Sequence, residues 1–98
     1  MRKRYIVAYD IADAKRLRQV HRKMCGFGDA LQYSVFRCDL SPSERVLLLE
    51  ALTPLINQRE DQIMLIDIGP IDGRAANCIE TLGKSADWVK MGQLAVIV

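Results

Sequence analysis

The sequence predicts one α+β domain in which two helices pack on a small β-sheet. β-rich runs alternate with helical patterns, a well-marked helix start separates two of these runs, and 98 residues suffice for one domain. We therefore expect a single domain over residues 1–98, with its core at about 1–69 and a C-terminal extension at 70–98.

The first strand and helix are predicted from apolar spacing. Tyr5–Asp10 is nearly continuous in apolar character, which is typical of a central strand buried on both faces. Asp13 is placed to cap the following helix. In that helix Leu17, Val20 and Met24 have the spacing of one buried face.

The second β-run, Leu31–Leu40, alternates irregularly, and a slip at Val35-Phe36 predicts a bulge or a division into two strands. If the run divides, the element order is βαββαβ, which is the ferredoxin-like pattern. If it stays whole, the order is that of a small parallel βαβαβ sheet. We favour the ferredoxin-like fold because the chain is short and the run is irregular.

The start of the second helix is the clearest structural signal. Ser41 is an N-cap, Pro42 suits the first helical position, and Glu44 completes a capping box. Pro54 should end or kink this helix. Its predicted core stripe is Val46, Leu49, Leu52 and Ile56. A further strand follows at Asp61–Ile68, closed by Gly69-Pro70.

The last quarter of the chain is less regular. We expect a short helix over Arg74–Leu82, a loop over Lys84–Gly92 and a strand at Leu94–Val98, which is apolar at every position. Such a strand would promote aggregation at an exposed edge. The sequence therefore predicts that it pairs at the interface of a homodimer.

Charge and cysteine content limit the classes of function. Residues 1–23 carry eight basic and two acidic side chains, whereas the remainder carries six and ten. This asymmetry indicates an anionic partner for one face, although a solvated helix face gives the same composition. Three scattered cysteines and one histidine favour free thiols over a closed zinc site. No apolar run is long enough for a membrane span or a signal sequence, so we expect a cytoplasmic location without membrane contact.

Asp10 is the candidate catalytic and metal-binding residue. It stands at the C-terminal end of the first strand, where α/β folds place ligand groups. One carboxylate can bind Mg²⁺ when water and substrate phosphate complete the shell. The alternative is that Asp10 accepts backbone hydrogen bonds in the turn before the helix.

Several motifs together resemble the CRISPR-associated protein 2 family. They are Tyr-Ile-Val-Ala-Tyr-Asp-Ile at 5–11, Lys-Arg-Leu-Arg-Gln-Val at 15–20, Gln-Tyr-Ser-Val-Phe at 32–36 and Asp-Leu-Ser at 39–41. The resemblance covers about residues 5–68 and implies a ferredoxin-like homodimer. It also implies metal-dependent cleavage of RNA or DNA, and a central place in the complex in which the integrase, CRISPR-associated protein 1, inserts new spacers.

By matched position, the resemblance implies that one Mg²⁺ ion is shared between the two Asp10 carboxylates of the dimer. The predicted neighbours of this site are Tyr9, Ser34 and Phe36, and the predicted phosphate-binding residues are Arg4, Lys15, Arg16 and Arg18. We therefore expect a CRISPR adaptation protein that is both endonuclease and structural core of the integration complex. Two alternatives stay open: a non-catalytic DNA-binding scaffold in which Asp10 is structural, and a ferredoxin-like ligand-binding regulator.

Overall fold

The computed structural model describes residues 1–84 and the backbone of Val96–Ile97. In this part of the chain the elements follow the order β1 Lys3–Asp10, α1 Ala14–Met24, β2 Asp29–Gln32, β3 Val35–Leu40, α2 Pro42–Leu52, a 3₁₀ turn Thr53–Leu55, β4 Gln62–Pro70, a 3₁₀ turn Arg74–Asn77, β5 Thr81–Leu82 and β6 Val96–Ile97. The predicted βαββαβ order is therefore confirmed over β1 to β4.

Strands β1 to β4 form one sheet in the order β2-β3-β1-β4, and each neighbouring pair is antiparallel. This is the ferredoxin-like arrangement, and it rules out the parallel βαβαβ alternative. The second β-run does divide, but Tyr33 and Ser34 form the turn, two residues before the predicted slip at Val35-Phe36.

Both helix starts follow the predicted capping. The carboxylate of Asp13 accepts from the backbone N–H of Arg16 at 2.9 Å. At the start of α2 the Ser41 hydroxyl accepts from the Glu44 N–H at 3.2 Å, while the Glu44 carboxylate accepts from the Ser41 N–H at 2.8 Å. These caps satisfy backbone donors that the first turn of a helix leaves unpaired.

The buried stripe of α2 differs from the prediction. Leu48 and Leu52 face the core, whereas Val46 and Leu47 are exposed and Leu49 is half-buried. The run Val-Leu-Leu-Leu offers several apolar rows of equal quality, so the sequence pattern alone does not select the row that meets the sheet. Pro54 does end the helix, which passes into the 3₁₀ turn after Leu52.

The helices cover only one face of the sheet. Tyr5, Val7 and Tyr9 of β1 point to that face and are buried. Side chains alternate along a strand, so Ile6 and Ala8 point to the other face, where both are half-buried. The prediction that β1 is buried on both faces is therefore wrong for the single chain.

The side of the sheet that α1 and α2 leave free, here called the open face, is apolar at its centre. The register of β1 with β4 places Ile66 opposite Ile6 and Met64 opposite Ala8. Met64 is 46% exposed and Ile66 is 42% exposed. The open face is thus defined by Ile6, Ala8, Met64 and Ile66.

The C-terminal quarter also departs from the prediction. The helix expected over Arg74–Leu82 is only the 3₁₀ turn Arg74–Asn77, followed by β5. β6 pairs in parallel with β5 of the same chain. The rest of the predicted terminal strand and nearly all of the predicted loop lie outside the described residues, and pairing with a second copy stays a prediction. The three cysteines are free: Cys38 is buried, while Cys25 and Cys78 are exposed.

Candidate metal and nucleic-acid site

Asp10 ends β1 on the same side of the sheet as the open face. It alternates with Tyr9, whose ring points under the helices, and it lies opposite Gln62 of β4. Its side chain is exposed and makes no hydrogen bond or ion pair within residues 1–84. The alternative in which Asp10 accepts backbone hydrogen bonds in the turn is therefore not what the structure shows.

Asp61 performs that structural task instead. Its side chain is fully buried and accepts from the backbone N–H of Ala12 at 2.9 Å and of Asn57 at 2.8 Å. The guanidinium of Arg16 donates to the same carboxylate, with Nε 2.8 Å from Oδ2. This hydrogen bond, together with the two backbone donors, holds the pKa of Asp61 well below its usual range.

Arg16 is already paired with acidic side chains of its own chain. Its Nε and Nη2 donate to Asp61, and Nη2 also lies 3.0 Å from Glu60. These bonds raise the pKa of the guanidinium. Arg16 therefore fixes the start of α1 against the segment before β4, and the predicted phosphate contact would have to compete with that pairing.

Arg4 is not on the predicted basic surface. It is 6% exposed and forms a two-bond ion pair with Asp39, at 2.8 and 3.0 Å, while Nη1 donates to the carbonyl of Ala75 at 3.2 Å. The turn around Ala75 covers this end of the open face, which the sequence did not reveal. Because Arg4 is buried and paired with Asp39, it does not belong to an exposed basic surface, which corrects the predicted placement.

Lys15 and Arg18 do lie where the sequence places them. Both are exposed on α1, and Arg22 continues the same row one turn later. No ion pair joins any of the three to another side chain in the described part of the chain. This basic row is available to an anionic ligand.

The predicted neighbours of the site occupy the opposite side of β1 from Asp10. Phe36 is fully buried in the core, and the carbonyl of Ser34 accepts from the Tyr9 N–H at 3.0 Å. The Tyr9 hydroxyl lies 2.9 Å from the carbonyl of Tyr33 and 3.1 Å from Nδ1 of His21. Burial is the main cause that raises the pKa of Tyr9 to about 12. These residues hold the end of β1 in place, and their role beside a metal site stays a prediction.

His21 is the member of this cluster that the sequence did not single out. Its ring stacks on Tyr33 with centroids 4.5 Å apart and meets the edge of Phe36 at 5.4 Å. The signal was present in the spacing, because His21 follows Leu17 by four residues and therefore flanks the buried stripe of α1.

The donor set partly fits Mg²⁺. An exposed carboxylate is the ligand that this ion takes when substrate phosphates and water complete its octahedron. Within the described residues, no group of three or more His, Cys, Asp or Glu side chains could enclose a metal. Within residues 1–84, Asp10 is therefore a single candidate ligand rather than part of an enclosed cluster.

Fold and site together define a class of protein: a small ferredoxin-like domain with one free carboxylate at a sheet end, an apolar open face and a basic helix. The comparison with known families is specific. Residues 2–72 match the family described as CRISPR associated protein Cas2. The chain belongs to the Cas2 family.

Curated relatives and solved structures agree with this assignment. The chain is 42% identical over 86 residues to CRISPR-associated endoribonuclease Cas2 1 of Rhodospirillum rubrum, covering 88% of this chain and 83% of the relative. It is 35% identical over 83 residues to CRISPR-associated endoribonuclease Cas2 of Geobacter sulfurreducens, covering 85% and 86%. The crystal structure of Streptococcus pyogenes Cas2 superposes with a TM-score of 0.61 at 32% identity, covering 64% of this chain and 82% of that one. Among the described residues, no helix has the length and apolar character needed to cross a bilayer.

Proposed function

We propose that the chain is a homodimeric, Mg²⁺-dependent endonuclease whose substrate is RNA. The observation that carries the proposal is the position of Asp10, exposed and without a partner in residues 1–84, at the end of the apolar open face. The names of the relatives from Rhodospirillum rubrum and Geobacter sulfurreducens, both endoribonucleases, support RNA as the substrate.

The open face supports a dimer that brings the two carboxylates together. Met64 and Ile66 leave large apolar side chains in water, and a second copy of the same face would cover them. An isologous two-fold contact places each residue near its own mate when it lies close to the axis. Asp10 lies at one end of that face, so a contact whose two-fold axis passes at this end would set the two carboxylates near one another.

Two close carboxylates repel, and a divalent cation relieves the repulsion while both stay ionised. When bound there, Mg²⁺ would polarise a phosphodiester and activate water. The chain's own contribution is to hold the ion through Asp10 and to attract the nucleic-acid backbone through Lys15 and Arg18. Arg16 and Asp61 position the turn that follows Asp10 without contacting the substrate.

A second function is favoured by the sparse chemistry around Asp10. No histidine or lysine that could act as a base accompanies it among the described residues of its sheet end, and the basic row on α1 suits duplex DNA as well as RNA. The resemblance to CRISPR-associated protein 2 implies a dimer that bridges the integrase, CRISPR-associated protein 1. In that role the chain would bind DNA, and Asp10 would be dispensable for spacer acquisition.

Cleavage of labelled RNA and of duplex DNA by wild type and Asp10→Asn, with Mg²⁺ and with chelator, tests the proposal on material of known oligomeric state. We expect Mg²⁺-dependent cleavage of RNA that falls roughly 100-fold or more in Asp10→Asn. Asp72→Asn, at an exposed position far along the chain, is the matched control. Cleavage that survives Asp10→Asn would remove Asp10 from the catalytic role. Absence of cleavage in wild type, with DNA binding intact, would favour the scaffold.

A further inference from the structure

A pocket of about 440 Å³ at the C-terminal end of α1 has no part in the proposed chemistry. It is lined by Gln19, Arg22, Lys23, Gly26, Phe27 and Leu55. Phe27 and Leu55 are half-buried and pack against the core, so they form a fixed apolar floor. A volume of this order accommodates a small ring system.

The rim of the pocket is basic, and its polar side chains are free of internal hydrogen bonds and ion pairs within the described part of the chain. Gln19, Arg22 and Lys23 are exposed, and none of their side chains makes a hydrogen bond or ion pair with another residue in 1–84. No acidic side chain belongs to the described lining. An apolar floor under two free cations selects a ligand that is flat and apolar in one part and anionic in another.

Gly26 is one of the residues that line the pocket. Its φ is not positive, so the backbone there does not require glycine. A Cβ at this position would meet only the Lys23 carbonyl, at 3.4 Å, which is an ordinary contact. The backbone therefore tolerates a side chain at position 26, and because Gly26 lines the pocket, a long side chain there can reach into it.

The pocket continues the basic row of α1. Lys15, Arg18 and Arg22 recur at intervals of three and four residues, about one turn of 5.4 Å each, and the row leads from the Asp10 end of the domain to the pocket rim. A nucleic-acid strand that follows this row reaches Phe27 at its far end.

We propose that this pocket binds an unpaired base of a single-stranded nucleic acid, with the base stacked on Phe27 and its flanking phosphates on Arg22 and Lys23. The inference rests on the proposed function, since it specifies which form of nucleic acid the same molecule prefers. Single strands are recognised by aromatic stacking beside basic side chains, whereas a base paired in a duplex must first be flipped out. The Gln19 amide lines the same pocket and can both donate to and accept from the edge of a base.

Binding in EDTA, where no cleavage occurs, tests this proposal. Fluorescence anisotropy compares a uridine strand about 12 nucleotides long with a strand of the same length that lacks bases, and with a duplex. Gly26→Met fills the pocket without changing charge, and Gly26→Ser is its matched control. Phe27→Leu keeps the apolar packing but removes the aromatic face. Thermal unfolding of each variant establishes that it is folded.

We expect wild type and Gly26→Ser to bind the uridine strand about tenfold more tightly than the strand without bases. Gly26→Met and Phe27→Leu should lose this preference and keep the affinity for duplex. A preference that persists in Gly26→Met, or an equal loss for all three ligands, would overturn the proposal. A wild type without base preference that binds an acidic aromatic peptide would also overturn the proposal, provided that Gly26→Met does not bind this peptide. The pocket would then be a peptide site.

The outcomes separate this inference from the proposed nuclease. If Asp10→Asn still cleaves but the base preference is present, only the catalytic assignment is wrong. If Mg²⁺-dependent cleavage depends on Asp10 but Gly26→Met changes nothing, only the base pocket is wrong. A wild type that binds no strand at low salt would overturn both.

Discussion

The guanidinium of Arg16 and the buried carboxylate of Asp61, with Nε and Oδ2 2.8 Å apart, join the start of α1 to the segment that precedes β4. The same carboxylate accepts from the N–H groups of Ala12 and Asn57. One acidic side chain therefore fixes both segments that flank Asp10.

This relationship predicts acid sensitivity. The folded-state pKa of Asp61 lies below its unfolded value, so its contribution is complete above that unfolded value and is lost as the pH falls towards the folded-state pKa. Glu44, whose pKa the Arg2 guanidinium lowers to about 2, acts in the same direction. The melting temperature of wild type should therefore fall between about pH 5 and pH 2.

Asp61→Asn isolates the buried carboxylate. It should lower the melting temperature at pH 7 by several degrees and flatten the decline between about pH 5 and pH 2, because a titrating group is gone. Circular dichroism melts across this range measure both effects. Asp72→Asn should reproduce the wild-type curve. Parallel curves for wild type and Asp61→Asn would show that the ion pair does not set the acid response.

A second prediction distinguishes the buried, ion-paired Arg4 from the exposed Arg18. Arg4→Met should destabilise the fold by about 3 kcal/mol, because it leaves Asp39 without its bidentate partner in a largely buried place. It should leave the salt dependence of nucleic-acid binding unchanged. Denaturant unfolding and a salt titration of RNA binding provide the two measurements.

Arg18→Gln should behave in the opposite way. Arg18 is exposed and has no internal partner in residues 1–84, so stability should change little, while the slope of log affinity against log salt falls by about one unit for a phosphate contact. An unchanged slope in Arg18→Gln, or a reduced one in Arg4→Met, would show that the basic row is not the binding surface.

These arginines also show how far sequence reasoning reaches. The caps at Asp13 and Ser41 are local signals, and the structure reproduces both, as it does the strand order that follows from the element pattern. Whether a basic residue is free depends on partners far along the chain. Arg4 meets Ala75 and Arg16 meets Asp61, contacts that no local pattern encodes.

The same dependence on distant partners explains why the buried residues of α2 and β1 were predicted incorrectly. Packing against the sheet decides which row of α2 becomes buried. One side of β1 is left without helices because both helices pack on the other face. The exposed position of Asp10 was foreseeable from its place at a strand end. The aromatic cluster around His21 required the turn at Tyr33 to be known first.

A third prediction concerns the dimer. Ile66→Lys places a charge at the centre of the open face, where a second copy would have to bury it, and should shift the chain towards monomer and abolish cleavage that needs two Asp10 residues. Val96→Lys tests the separate sequence-based prediction that the terminal strand pairs between copies. Sizing with light scattering distinguishes the two surfaces. Gln58→Lys, at an exposed position elsewhere, adds the same single positive charge and is the control. A dimer retained in Ile66→Lys would place the interface away from the open face.

The last prediction compares two glycines that flank Phe27. A Cβ at Gly28 would collide with the carbonyl of Arg37 and lie 2.6 Å from the sulfur of Cys38, both on β3 beneath it, whereas Gly26 has ordinary space. Gly28→Ala should therefore cost about 2 kcal/mol of folding free energy, in the range for overpacking against rigid neighbours. Gly26→Ala should be close to neutral. Denaturant midpoints measure the difference, and equal midpoints would mean that β3 shifts easily to make room for a Cβ at Gly28.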